Sequence, residues 1–310
     1  LVSDLLLRVL NTLEKKKVDL KTLDAIVGRG GNMKPVVGGT YHINEPMLKD
    51  LEIGIMGQHA CNSSAYIAHS IATPLEIPSF VVDPVVVDEL GDLARISGFD
   101  GIPRRAKDHP LNQRAVCRRA AKKLGGKYEE FNFVIAHMGG GISIGVHNKG
   151  RIIDVNNCLD GDGPFTPERT GSLPFGAVID LCFSGKYTKE ELYYRFVGGG
   201  GLVSYLGTND GREVKKMIEA GNEKAKLVYE AMAYQVSKEI GAGATVLKGD
   251  VDAILLTGGL ANDELFVGWI KERVKYIGDI LVYPGEYEMV AMAEGAIRVL
   301  RGQEEPKIYS

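Results

Sequence analysis

A chain of 310 residues exceeds one ordinary domain, so two packed domains are expected. With 45% apolar and 25% charged residues the composition is that of a globular protein, and a net charge of -3 without a Lys/Arg run beyond three residues speaks against a nucleic-acid surface. No apolar stretch nears the roughly 18 residues a membrane span requires; the longest, at 80–90, is broken by Asp83, Pro84 and Asp88.

In chain order, Val2, Leu5, Leu6, Val9, Leu10 and Leu13 recur at helical spacing and predict an opening amphipathic helix. Residues 24–28 (DAIVG) read as a buried strand entering the glycine loop that holds Arg29, Gly30 and Gly31. A second strand covers 79–82 and ends at Asp83-Pro84. Residues 111–124 predict a helix stopped by Gly125-Gly126. Strands follow at 132–136, 142–146 and 151–155, the last two joined by a turn at Asn148-Lys149-Gly150. One long helical region is expected over about 213–247, then a strand at 253–256, a helix, a strand at 280–283 and a last helix over about 286–301. Alternating strands and helices predict an α/β architecture. Cys61, Cys117, Cys158 and Cys182 form no C-x-x-C pair. Neither a zinc site nor a disulfide framework is expected from them, and the reducing cytoplasm is the expected compartment.

Glycine supplies 39 residues, and three glycine-rich turns, at 28–31, 137–141 and 257–259, follow apolar strands. Backbone amides can close on phosphate oxygens where no Cβ intervenes, so three such turns together point to a phosphate ligand. None matches G-x-x-x-x-G-K-[ST], which disfavours a P-loop enzyme. No G-x-G-x-x-G is followed by an acidic residue about twenty positions on, which disfavours a dinucleotide dehydrogenase.

Residues 133–150, FVIAHMGGGISIGVHNKG, resemble a signature of the acetate and butyrate kinase family: two apolar residues, a histidine, glycines, a Ser/Thr and a closing glycine. Further phrases resemble that family in the same order, namely VGRGG (27–31), GQHACN (57–62), FVVDPVVVDEL (80–90), DGDGPFTPERTGSLP (160–174), GGLVSYLGTND (200–210) and LTGGLAND (256–263). Their wording is nearest to the butyrate kinase branch. The resemblance implies two related ribonuclease H-like α/β domains of the actin, Hsp70 and sugar kinase superfold around an ATP cleft. The expected boundaries are 1–126 plus 286–310 for an acid-binding domain and 127–285 for a nucleotide-binding domain. The implied reaction is reversible transfer of the γ-phosphoryl group of ATP, with Mg2+, to a short-chain fatty acid, giving an acyl phosphate and ADP. Family members are dimers or larger, so a homo-oligomer is implied. Acetate or propionate kinase is the nearest alternative, and a non-catalytic nucleotide-binding module of the same fold is another.

Carried over residue by residue, the resemblance gives Arg29 the acid's carboxylate and Arg169 the bridge between acid and phosphoryl group. His137 would hydrogen-bond the phosphoryl group, and His59 would lie near the acid. His109 falls at a further family histidine, whereas His42, His69 and His147 read as structural. Asp83 resembles the essential aspartate, with ordering of magnesium-bound water preferred over polarising the carboxylate. Glu288 corresponds best to the magnesium glutamate, with Glu286 close by. Gly139, Gly140 and Gly141 would face the phosphates, Gly258, Gly259 and Asn262 the adenosine, and Gly207, Thr208 and Asn209 its base or ribose. The family begins with a phrase N-x-G-S-T-S-x-K and a β-hairpin, and nothing of that form precedes Leu1. The expectation is a fragment whose first domain lacks that hairpin and whose activity is weak.

Overall fold

The computed structural model describes residues 2–310, which divide into two compact units, Leu1–Asp88 with Tyr287–Ser310, and Glu89–Glu286. The strands are β1 (Ile26–Gly28), β2 (Thr40–His42), β3 (Ser79–Val82), β4 (Asn132–Met138), β5 (Ile142–Asn148), β6 (Arg151–Val155), β7 (Ala253–Gly258), β8 (Ile280–Pro284) and β9 (Lys307–Ile308).

In the first unit a four-stranded sheet runs β1-β3-β2-β9. β1 lies parallel to β3, β2 antiparallel to β3, and β9 parallel to β2. Helix Ser63–Ala72 packs on β1 and β3. Its approach is close enough that a Cβ on Gly28 would stand 2.7 Å from Ser64 O, so glycine is required there. Helix Glu288–Leu300 also reaches β3, where Gly295 lies flat on Val82. Met33, Tyr41, Met47, Leu51, Ala65, Val81 and Tyr309 form the core.

The second unit is built on the sheet β6-β5-β4-β7-β8. β4 pairs antiparallel with β5 and parallel with β7, and β7 parallel with β8. All seven β4 residues are buried, as expected for a central strand covered on both faces. Alternation along the strand assigns the faces. Val134, Ala136 and Met138 join the main core with Tyr229, Met232 and Val236 of helix Glu223–Val246. His137 points the other way, to helix Pro110–Leu124.

Two features differ from expectation. The helical region over 213–247 is two helices, Gly211–Glu219 and Glu223–Val246. Gly221 sits between them at φ 82°, and the Asn222 side chain accepts from Ala225 N to start the second. The units also divide after Asp88, not near 126. Helix Pro110–Leu124 packs on β4 and β7, and Leu90, Ala94 and Ala106 cover Ile152 and Val155. Burial of those apolar faces joins 89–126 to the second sheet.

Candidate active site

The second unit gathers its chemistry at the turn between β4 and β5. Gly139 N donates to Gly141 O at 3.0 Å, closing a tight loop. A Cβ on Gly141 would overlap Arg169 Nη1, so only glycine lets the guanidinium cross the turn. Arg169 is held there by its own loop. Buried Thr166 donates through Oγ1 to Gly140 O at 2.7 Å and accepts from Glu168 N and Arg169 N at 3.2 and 3.0 Å. Arg169 Nη1 donates to Cys158 O at 2.9 Å. One hydroxyl thus ties the arginine loop to the glycine turn, and the arginine is pre-oriented without moving.

His137, next to last in β4, has 1% of its surface exposed. The His109 ring stacks on it with centroids 3.8 Å apart and an interplanar angle of 12°. Burial, and then His109, push His137 well below the ordinary histidine value. It is therefore neutral at working pH and able to donate one hydrogen, not two. His109 Nδ1 lies 2.8 Å from Ser143 Oγ, which accepts from Gln113 Nε2 at 2.8 Å. Gln113 Oε1 lies 2.9 Å from His147 Nε2, and Tyr128 OH 2.6 Å from His147 Nδ1. Fully buried His147 is also pushed well down, by burial first and then by Arg114 and Arg118.

Beside the turn opens a cavity of about 930 Å³. Gly139, Gly140, Asn209, Gly259 and Asn262, all singled out in the sequence, line it. Gly141, Gly207, Thr208 and Gly258 are not among its lining residues. Gly258, at φ 90°, lies on the Met138 backbone, where a Cβ would come within 2.6 Å of Met138 C. Its smallness lets β7 and β4 turn side by side. Gly207 caps helix Gly201–Leu206 at φ 76°, and Thr208 Oγ1 bonds Glu213.

In the first unit Arg29 follows β1, and its Nη2 meets Glu288 Oε1 at 2.7 Å. The adjoining glycine loop is pinned by buried Asn62, whose Oδ1 accepts from Asn32 N at 2.9 Å and whose Nδ2 donates to Leu51 O and Gly57 O at 3.2 and 3.3 Å. His59 caps the short turn Ala60–Asn62, accepting from Cys61 N at 3.2 Å. It lines a cavity of about 550 Å³ with Leu51, Gln58, Asn62, Ser63 and Tyr66. Asp83 ends β3 buried, at φ 39°. Gly39 N donates to its Oδ1 at 2.8 Å and Asp83 N to Gly39 O at 3.0 Å. A non-glycine residue in the left-handed region costs on the order of 1–2 kcal/mol, and such strain gathers at functional positions.

The sequence model of the acetokinase family matches residues 100–278. The chain belongs to that family. Among solved structures, the acetate kinase of Porphyromonas gingivalis matches with a TM-score of 0.78 at 19% identity, over 94% of this chain and 83% of that one. A propionate kinase from Francisella tularensis subsp. tularensis SCHU S4 gives 0.75 at 20%, over 94% and 83%. The acetate kinase of Entamoeba histolytica gives 0.77 at 15%, over 96% and 84%. At such identities the likeness concerns the fold, that of the actin, Hsp70 and sugar kinase superfold. As an acetokinase the chain is a carboxylate kinase, a phosphotransferase working with ATP and ADP.

Sequence reasoning passed over part of the lining of this acetokinase's larger cavity. Glu168, Asp210, Arg212, Lys215, Lys216 and Glu286 also line it. Three of them carried a signal, since Arg212, Lys215 and Lys216 share one face of helix Gly211–Glu219 at helical spacing. Asp210 caps that helix and pairs with Arg212 at 2.6 Å, a hydrogen-bonded partner that holds its carboxyl down at about 2. Glu286 stands by His137, with Oε1 3.8 Å from Nε2. Among the described residues no three His, Cys, Asp or Glu side chains gather to hold a metal, and no helix is long and apolar enough to cross a membrane.

Proposed function

We propose that this acetokinase is of the butyrate kinase type, converting butyrate and ATP reversibly into butyryl phosphate and ADP. A carboxylate oxygen attacks the γ-phosphorus in line while the bond to the β–γ bridging oxygen breaks. The acid is already ionised at pH 7, so no general base is needed. The first unit supplies Arg29 and His59 for the acid. Asp83 would hold the water shell of the magnesium that enters with ATP, and Glu288, with Glu286 as sequence neighbour, would serve that ion, whose charge would offset that of the phosphates. A magnesium ion that keeps its phosphates and waters needs only one or two carboxylates. The second unit supplies residues 139–141 and His137 to the phosphates. Arg169 offsets the repulsion between the two anions.

The observation that carries the reading is Arg169 held across the glycine turn by Thr166. The four-carbon acid is favoured by the wording of GQHACN and FTPERTG. A homo-oligomer belongs to the same reading, supported by helix Phe175–Cys182, which has no buried residue. At its ends Phe175 and Phe183 are 84% and 87% exposed, which suits a face covered by a second copy.

Acetate, propionate, butyrate and isobutyrate, each offered with ATP, Mg2+ and hydroxylamine, are expected to give most trapped hydroxamate from the four-carbon acids. Sizing of the same preparation is expected to give a multiple of the 33.6 kDa chain. A clear preference for acetate or propionate would replace the butyrate assignment. Hydrolysis of ATP with no hydroxamate from any acid would sink it.

A further inference from the structure

The two ring nitrogens of His137 have different surroundings. Nδ1 lies 2.8 Å from Asn112 Nδ2, both side chains being buried. Nε2 faces the glycine turn, where a Cβ on Gly139 would stand 3.4 Å away. Asn112 Nδ2 also reaches Thr257 Oγ1 at 3.3 Å, and Thr257 donates its hydroxyl hydrogen to Gly285 O at 3.2 Å. With that hydrogen committed, Thr257 can only accept from Asn112, so the group facing it is the amide NH2. The second hydrogen of the same NH2 points at His137 Nδ1. A ring nitrogen that accepts carries no hydrogen, which leaves the ring proton on Nε2.

We propose that Asn112 is a positioning residue that holds His137 as the neutral Nε2–H tautomer, so that the one ring hydrogen is offered at the turn formed by residues 139–141. The inference rests on the kinase reading above, in which that turn faces the transferring phosphoryl group. A phosphoryl oxygen needs a donor, and the other tautomer would present a lone pair to it. A second proton could restore the donor, but burial disfavours the imidazolium and the Asn112 NH2 opposes a hydrogen on Nδ1. Asn112 sits on the first turn of helix Pro110–Leu124. The same helix start brings His109 onto the ring of His137, so one element sets both the plane and the protonation of the histidine.

The substitution Asn112→Asp keeps the size of the side chain and replaces the donor by an acceptor. In the parent, a long-range 1H–15N spectrum of histidine-labelled protein is expected to show Nε2 protonated and Nδ1 bare. The signal is assigned among the six histidines by its loss in His137→Gln. In Asn112→Asp the hydrogen is expected to move to Nδ1 near pH 8, leaving Nε2 bare. kcat is then expected to fall about 10- to 100-fold near pH 8, with KM within about twofold. Activity should recover towards lower pH, as the carboxylate-paired ring takes a second proton and Nε2–H returns. His109 and Glu286, the titratable groups facing His137, are common to parent and variant. A merely structural Asn112 would alter stability but leave tautomer and pH profile unmoved.

A parent spectrum with the hydrogen on Nδ1 overturns the proposal even if the variant does not fold. So does an unchanged His137 signal in Asn112→Asp. Should no acid be phosphorylated by the parent, the kinase reading fails on its own, while the spectrum still decides the tautomer.

Discussion

Arg169→Ala is expected to lower kcat by about 10³-fold, the scale of an arginine that meets charge developing on a transferring phosphoryl group. KM for ATP should change little, because the cavity beside the turn is lined by other side chains, Arg169 not among them. The protein should still fold. The loop is held by Thr166 through backbone amides and by Thr166 N on Arg169 O at 2.9 Å, contacts that alanine retains. Arg169→Lys is expected to recover little, since one ammonium cannot bridge two anions as a planar fork does. Initial rates with butyrate and ATP, beside a thermal melt, separate the effects. A kcat within about threefold of the parent, in a folded variant, would remove Arg169 from the transition state.

Gly201→Ala is expected to damage stability and rate together. Gly201 has φ 56°, and a Cβ there would overlap Thr166 O and stand 2.9 Å from Arg169 O. Those carbonyls belong to the loop that holds the arginine, and Leu202 N donates to Thr166 O at 3.3 Å from the same helix start. The methyl cannot be absorbed by a rotating side chain, since the obstacle is backbone. Destabilisation of about 2–4 kcal/mol is expected from strain plus displaced packing. A loop displaced by about 1 Å should cost on the order of 10²-fold in kcat in the molecules that fold. Gly207→Ala is the control. Its φ is 76° but nothing lies within 4 Å of a Cβ there, so only the backbone cost of about 1–2 kcal/mol applies. Denaturant midpoints for the two variants test this, and equal losses would show that the contact with Thr166 is not what forbids a side chain at 201.

The hairpin that carries the candidate site could be read in advance because its determinants are local. The apolar runs at 132–136 and 142–146 and the glycines between them specify a hairpin, and β4 and β5 form it. Arg169 was marked by its phrase, but the staple that orients it was not. That staple joins Thr166 to Gly140 across 26 positions. Asn112 was hidden for the same reason, as was the stacking of His109, a histidine the sequence had marked. Their meeting with His137 depends on which face of a central strand helix Pro110–Leu124 covers, a tertiary choice that no local spacing records. Gly258 carries a constraint that the sequence did not show. Its turn suggested a ligand, whereas its conformation serves a close passage of two strands. The break at Gly221-Asn222 was present as a glycine and a capping residue, and lost in a long run of good helix formers.

The first unit is discontinuous along the chain, with Tyr41 and His42 paired to Lys307 and Ile308, and Tyr309 OH on Asp50 at 2.7 Å. During synthesis residues 1–88 emerge before residues 89–286, yet they meet β9 and helix Glu288–Leu300 only when residues 287–310 follow. At about 5–20 residues per second that interval is on the order of 10–40 s. The strands of the other sheet all lie within 89–286, so that unit can form while the earlier segment waits with Met47, Leu51 and Val81 unsealed. Stalled chains ending near residue 286 should therefore resist protease over the later unit and be cut in the earlier one. Chaperone demand and misfolding during expression are expected to concentrate in residues 1–88, made before the later unit and sealed after it.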